Sequence, residues 1–214
     1  MLEAAHVTRL AIISDVHADV HALCDALVQV DRLGIDRVVW CGDLLDYGLF
    51  PDETLALLCE RHVATIRGNH DRWALSGGVD ASGWDLSEGA RAFLGALPTR
   101  WCARVGGLRV LAAHARPGND TRGIAADAPD SELVGLLDAS DADVLLVGHT
   151  HAPFARALRD GRLVCNPGAL LRDPAPGFNL VTPGTFGVLT VAGGSAAFEV
   201  RRAADGALVE LGRG

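Results

Sequence analysis

The chain opens with apolar runs separated by segments of helical periodicity. Residues 8–14 place Leu10, Ala11, Ile12 and Ile13 in succession, the composition of a buried strand. In residues 19–33, apolar positions fall at Val20, Leu23, Leu27, Val30 and Leu33, three or four apart, which predicts an amphipathic helix. Gly34 stands just past it, where a C-terminal cap belongs. A second strand is expected over 36–41. Pro51 then opens a helix to about residue 61, at a position where a missing N–H is harmless, and a third strand covers 63–67. This strand–helix alternation predicts a parallel sheet with right-handed crossovers.

Further on, a Gly- and Ser-rich stretch over 76–85 reads as a loop between a short helix after Asp71 and a helix at 86–96, which Pro98 ends. Strands at 100–105 and 108–113 flank Gly106-Gly107, a doublet suited to a tight hairpin. Residues 129–138 read as helix and 143–147 as a buried strand. Runs near 153–157, 161–165, 185–191 and 195–202 are strand-like, with turns at Asp160-Gly161 and Gly193-Gly194. No linker or internal repeat interrupts residues 1–214, so the expectation is one α/β domain of two packed sheets with helices outside.

Composition narrows the function classes. At 214 residues and 49% hydrophobic content, the chain can bury a substantial core. Its formal net charge of −8 gives no general attraction to nucleic acid or to anionic membranes, so a phosphorylated substrate needs local positive charge. Bound divalent metals could supply it. The five cysteines, Cys24, Cys41, Cys59, Cys102 and Cys165, form no C-x-x-C pair and read as reduced thiols. No run reaches membrane-spanning length and no leader pattern stands at the N-terminus. A soluble, cytoplasmic protein is expected.

Candidate chemistry collects at strand ends. Val38-Val39-Trp40-Cys41 runs into Gly42-Asp43, with Asp46 three residues on. The first strand leads to Asp15 and His17, and the third to Gly68-Asn69-His70-Asp71. The run ending at Ala113 leads to His114, and the one ending at Val147 to Gly148-His149-Thr150-His151. Carboxylate and imidazole suit divalent transition metals, and a catalytic pair of ions sits about 3.5–4 Å apart. If the segments are extended, Asp15 and His17 point the same way and can reach one ion, and His149 and His151 repeat that geometry. Asp43 can bridge two ions with its two oxygens, Asn69 offers a neutral oxygen and His114 an imidazole. Parallel α/β sheets bind ligands beyond the carboxyl ends of their strands, where several of these residues fall.

Asp15-x-His17, Gly42-Asp43-x-x-Asp46, Gly68-Asn69-His70-Asp71, His114 and Gly148-His149-x-His151 resemble the ordered motifs of the calcineurin-like metallophosphoesterase superfamily. Asn166-Pro167-Gly168-Ala169 resembles a segment of its small bacterial, phosphodiesterase-like members. The resemblance implies a four-layer α/β/β/α sandwich of two mixed sheets flanked by helices. It also implies two divalent metals from among Mn, Fe, Zn and Ni. Carried over by motif, Asp15, His17, Asp43 and His151 hold the first metal, and Asp43, Asn69, His114 and His149 the second. His70 is then the acid that protonates the leaving oxygen, and Asp46 orients it. Tyr47 stands where the protein Ser/Thr phosphatases of the superfamily carry a phosphate-gripping Arg, which points away from that branch. Ala115 follows His114 where many relatives have Gly.

Residue chemistry and resemblance lead to one expectation: a dinuclear-metal phosphoesterase, acting on a phosphodiester in preference to a monoester. A metal-bridging hydroxide attacks and His70 serves as general acid. The substrate is expected to be small and phosphorylated, with no membrane partner and no nucleic acid. A phosphomonoesterase or nucleotide phosphohydrolase is an open alternative. From another class comes a catalytically silent protein-interaction scaffold of the same fold. Arg116 either grips phosphate or is an ordinary loop arginine. Asn166 either orients a ligand or shapes a turn. Trp73 and Trp84 either pack a loop down or meet substrate. His6, His21 and His62 read as structural or solvated, and the loops at 76–85 and 115–127 are expected to set substrate choice.

Overall fold

The computed structural model describes residues 7–61, 63–77, 86–172, 174, 177 and 182–211. Its elements run β1 (Thr8–Ile13), α1 (Val20–Arg32), β2 (Val38–Trp40), α2 (Pro51–Glu60), β3 (Ala64–Thr65), α3 (Asn69–Ser76) and α4 (Glu88–Ala96). There follow β4 (Arg100–Val105), β5 (Leu108–Ala113), α5 (Asp130–Ala139), β6 (Val144–Leu146), β7 (Phe154–Ala157), β8 (Leu163–Asn166), β9 (Thr185–Ala192) and β10 (Ser195–Arg202).

Two five-stranded mixed sheets result, ordered β10-β9-β1-β2-β3 and β4-β5-β6-β8-β7. In the first, β1, β2 and β3 are parallel, while β9 joins β1 antiparallel. In the second, β5, β6 and β8 are parallel and the hairpin strands β4 and β7 form its edges. The alternation of side chains along each strand sorts them between layers. Leu10 and Ile12 meet Val110, Ala112, Val144 and Leu146 between the sheets. Ala11 and Ile13 face the other way, onto Ala22, Leu23, Ala26 and Val30 of α1. On the far side, Leu111, Leu145 and Val164 pack against Leu133 and Leu137 of α5. The layers are therefore α/β/β/α.

Helix α1 begins where Asp19 lends an oxygen to the Ala22 N–H at 2.8 Å. The other oxygen of Asp19 accepts the Arg172 N–H at 2.9 Å, tying the helix start to the segment after β8. Asp19→Ala should lower stability by about 1–2 kcal/mol, the usual worth of an N-cap, read as a shifted denaturant midpoint.

Three expectations need correction, the first being that the third strand pairs only over Ala64–Thr65 rather than 63–67. The helix expected after Asp71 starts earlier, at Asn69, so Asn69, His70 and Asp71 all stand in its first turn. The cause is local: the Asp71 carboxylate turns back to accept the Gly68 N–H at 2.9 Å, as an acid at the third helical position can. The second strand is also shorter than 36–41. It pairs only over Val38–Trp40, because the chain turns at Gly42, whose φ is +94°. Trp84, His6 and His62, and most of the 76–85 loop, lie outside the described residues.

Candidate metal centre

Parallel pairing brings the carboxyl ends of β1, β2 and β3 to one edge of the first sheet and those of β5, β6 and β8 to the matching edge of the second. The loops leaving them bond to one another. Asp15 N–H donates to Gly42 O at 3.0 Å, Val16 N–H to Asp43 O at 3.0 Å, and Gly148 N–H to His114 O at 2.8 Å. Packing is close enough to demand glycine, as Gly68 and Gly148 illustrate. A Cβ on Gly68 would stand 2.0 Å from Asp43 Oδ1, and one on Gly148 would stand 1.8 Å from Ser14 Oγ.

Within these loops, Asp15, His17, Asp43, Asp46, Tyr47, His149 and His151 all have positive φ, a conformation non-glycine residues rarely adopt. The extended geometry expected for Asp15-x-His17 and His149-x-His151 is therefore absent. Asp15 and His17 still converge, with His17 Nε2 3.9 Å from Asp15 Oδ1, but left-handed backbone brings them together rather than strand alternation. His149 and His151 part company. His151 Nε2 lies 3.2 Å from Asp15 Oδ1 and 3.1 Å from His17 Nε2. His149 Nδ1 instead lies 3.0 Å from Asn69 Oδ1, which is 2.9 Å from His114 Nε2. His114 Nε2 is in turn 3.1 Å from Asp43 Oδ2. Among the described residues two groups able to hold an ion emerge, Asp15/His17/His151 and Asp43/His114/His149, the second with Asn69 beside it. Asp43 Oδ2 faces both, since it is also 4.0 Å from His17 Nε2.

The donor set fits divalent metal. Ligands about 2.1 Å from one ion lie about 3.0–3.4 Å apart at square or tetrahedral angles, close to most of the separations above. The imidazoles are also set in the right tautomer. His17 Nδ1 donates to Leu45 O at 2.9 Å, His114 Nδ1 to Cys41 O at 2.8 Å, and His149 Nε2 to Thr121 O at 3.1 Å. Each ring thus turns its second nitrogen toward the cluster, the arrangement in which metal-binding histidines are held. Asn69 aims its amide oxygen at His114 and His149, a poor hydrogen-bonding partner for bare ring nitrogens but a sound fellow ligand.

Electrostatics agree with a cation-seeking site. Burial opposes charge on Asp43, yet the neighbouring His114, His17 and His70 hold its carboxyl well below the usual range. Burial likewise works against Asp15, but a hydrogen bond from His151 and the charge of His114 keep it low. Burial pushes His17 down to about 4, more than Asp43 and Asp15 restore. His114 goes the other way: burial lowers it, but Asp43, Asp15 and the Cys41 carbonyl together raise it to about 10.

Beside the cluster, His70 Nδ1 bonds Asp46 Oδ2 at 2.7 Å, and His70 Nε2 lies 4.0 Å from Asp43 Oδ2. The Asp46 bond raises the His70 pKa against the effect of burial. Trp73 packs its ring 4.8 Å from that of His70. Asn166 shapes the turn and also bonds the neighbouring loop, though not a ligand side chain. Its Nδ2 donates to Gly148 O at 2.8 Å and to Thr150 Oγ1 at 3.1 Å, steadying the loop of His149 and His151, and its Oδ1 accepts the turn N–H of Gly168 at 2.8 Å. Arg116 is spoken for by Glu132. His21 is exposed and rests against Phe50, away from the cluster.

One residue in the quoted motifs had been given no task. Asp71, fully buried, accepts N–H groups from Asp43 at 3.1 Å, Leu44 at 2.8 Å, Leu45 at 3.2 Å and Gly68 at 2.9 Å. Burial and the nearby Asp43 charge push its carboxyl up to about 7. The spacing Gly68-x-x-Asp71 was the available signal, a capping pattern at a helix start.

Comparison with known proteins agrees. The chain is 27% identical over 197 residues to an uncharacterized protein of Methanocaldococcus jannaschii, covering 83% of this chain and 76% of that one. A metallophosphoesterase structure from Sphaerobacter thermophilus superposes with a TM-score of 0.66 at 26% identity, covering 87% of each chain. Vacuolar Protein Sorting 29 from Cryptosporidium parvum shares the fold at a TM-score of 0.61 and 18% identity, covering 97% of this chain and 96% of its own. Residues 9–193 match the calcineurin-like phosphoesterase superfamily domain, and the chain belongs to that family.

Proposed function

We propose that this protein is a metal-dependent phosphoesterase of small phosphorylated substrates, with diesters preferred. The observation that carries the reading is the fixed set of three imidazoles, each tied by one nitrogen to a backbone carbonyl and turning the other toward two buried carboxylates and an amide oxygen. In this reading Asp15, His17, Asp43 and His151 hold one divalent ion, and Asp43, Asn69, His114 and His149 a second. Such ions supply positive charge for phosphoryl oxygens and make water acidic enough to attack near neutral pH. His70, its Nδ1–H held by Asp46, gives the Nε2 proton to the oxygen leaving phosphorus, so no side-chain nucleophile is required. A cleft of about 930 Å³ between β4, β5, the 115–121 loop and the end of α5 counts His114 and Asp120 among its lining residues. It offers room for the remainder of a small ester. Five free thiols suit a cytoplasmic setting.

The test is hydrolysis of bis(4-nitrophenyl) phosphate and 4-nitrophenyl phosphate by metal-stripped protein resupplied with Mn, Fe, Ni or Zn. Activity should return with metal and favour the diester. Metal bound at two ions per chain with both esters untouched would move the protein to the scaffold class. On a phenyl phosphodiester, whose leaving oxygen needs the proton, His70→Ala should lower kcat about 10²- to 10³-fold while the metal content measured by elemental analysis stays at the wild-type level.

A further inference from the structure

The structure assigns Tyr47 a second hold on the acid His70, an inference that rests on the phosphoesterase reading above. Tyr47 Oη lies 3.4 Å from His70 Nε2, while Asp46 Oδ2 holds His70 Nδ1 at 2.7 Å. Two consecutive residues therefore address the two nitrogens of one imidazole. The contact at Nε2 is the long one, as expected of a catalytic hydrogen bond before substrate tightens the site.

That placement is enforced by the backbone. Asp46 and Tyr47 both have left-handed φ, +80° and +64°, which a side-chain-bearing residue keeps only under constraint. Asp46 Oδ1 accepts the Tyr47 N–H at 3.0 Å. Gly48 follows so tightly against the preceding loop that a Cβ there would stand 2.2 Å from His17 O and 2.6 Å from Ala18 C. The Tyr47 ring then lies with its centroid 4.7 Å from that of His17 and 4.9 Å from that of His70. The Trp73 ring also packs against His70, steeply inclined to it. The acid is boxed in by rings and pinned at both nitrogens.

A phenol suits this place because it both donates and accepts. With the imidazole protonated, Nε2–H donates to Tyr47 Oη until a leaving oxygen arrives. As the phosphorus–oxygen bond breaks, its electron pair stays on that oxygen, which takes the Nε2 proton. The bare Nε2 then accepts from the Tyr47 O–H. The ring keeps its orientation in both protonation states, with Asp46 holding Nδ1–H throughout. Tyr47 is thus a positioning residue that acts through His70.

The test uses full-length, metal-loaded protein and phosphodiesters whose leaving groups range from nitrophenol to unsubstituted phenol. A departing nitrophenolate needs little protonation and a phenolate needs much. Tyr47→Phe keeps the ring and loses the hydroxyl. It should keep metal content and KM, barely alter kcat on the nitrophenyl ester, and lower kcat about fivefold on the phenyl ester, one hydrogen bond's worth. In a His70→Ala background the same change should do nothing further. Equal slowing on every ester, or an additive loss in the double variant, would overturn the role of Tyr47 while leaving the phosphoesterase reading intact. A wild-type protein inert toward all of the esters would overturn both.

Discussion

Asp43→Asn should cost the protein its metal and its activity together. The Asp43 carboxylate is buried and stands between the two groups, 3.1 Å from His114 Nε2 and 4.0 Å from His17 Nε2 through Oδ2. Its Oδ1 accepts the His70 N–H at 2.9 Å. An amide has no charge and only one acceptor oxygen. If that oxygen keeps the His70 N–H, the NH₂ group faces the imidazole nitrogens and repels a cation. If the oxygen faces the cluster, the NH₂ meets the His70 N–H, donor against donor. Either orientation spoils one side of the site. Losing an outer partner of a metal ligand costs about 10- to 100-fold in affinity, so losing the acid that faces both groups should cost more than about 100-fold. Elemental analysis after dialysis should find the variant depleted, and ester hydrolysis should fall to background, with circular dichroism unchanged. Full metal occupancy in Asp43→Asn would remove Asp43 from the shared position. Metal loss in this variant and retention in His70→Ala would separate holding the ions from donating the proton.

What could be read from the chain follows from its topology. In a parallel βαβ unit the apolar strand runs directly into the polar loop that carries function, so Asp15, Asp43, Asn69, His114 and His149 were all marked by the runs that precede them. Helix α1 was legible to within a residue at each end, because Val20, Leu23, Leu27 and Val30 keep a strict stripe and Gly34 ends it. The details that were hidden depend on backbone conformation and on distant partners. The family resemblance already divided His149 and His151 between the two groups, but nothing in His149-Thr150-His151 announces the left-handed φ that does so. Tyr47 reads in sequence only as a departure from another branch of the family, and its contact with His70 needs the folded loops to appear. Strand β2 was overestimated because Cys41 is as apolar as its neighbours, while the turn that releases it is set by Gly42.

Asp71→Ala should produce the largest loss of stability in the site. Four N–H groups, from Asp43, Leu44, Leu45 and Gly68, end on this one carboxylate, and water does not reach it. Each buried N–H left without a partner costs about 1–3 kcal/mol. Relaxation of the turn will recover part of the sum, so a net loss of about 3–5 kcal/mol is expected, in the range of a broken buried network. Set against the typical 5–15 kcal/mol of a folded domain, this is a large share. Asp71→Asn should lose less. An amide oxygen can keep either the Leu44 and Leu45 pair, bound by Oδ1, or the Asp43 and Gly68 pair, bound by Oδ2, but its NH₂ then faces the other two donors. Denaturant midpoints of the metal-free proteins should therefore rank wild type, Asp71→Asn, Asp71→Ala, with nearly equal slopes. Because the same carboxylate sets the backbone of Asp43, folded Asp71→Ala at low temperature should also bind metal weakly, though Asp71 contributes no ligand atom to either ion-holding group. A midpoint within about 1 kcal/mol of wild type would mean that the 43–45 turn is held by the sheet edge rather than by Asp71. Normal metal binding alongside a large stability loss would mean that the turn and Asp43 are positioned independently.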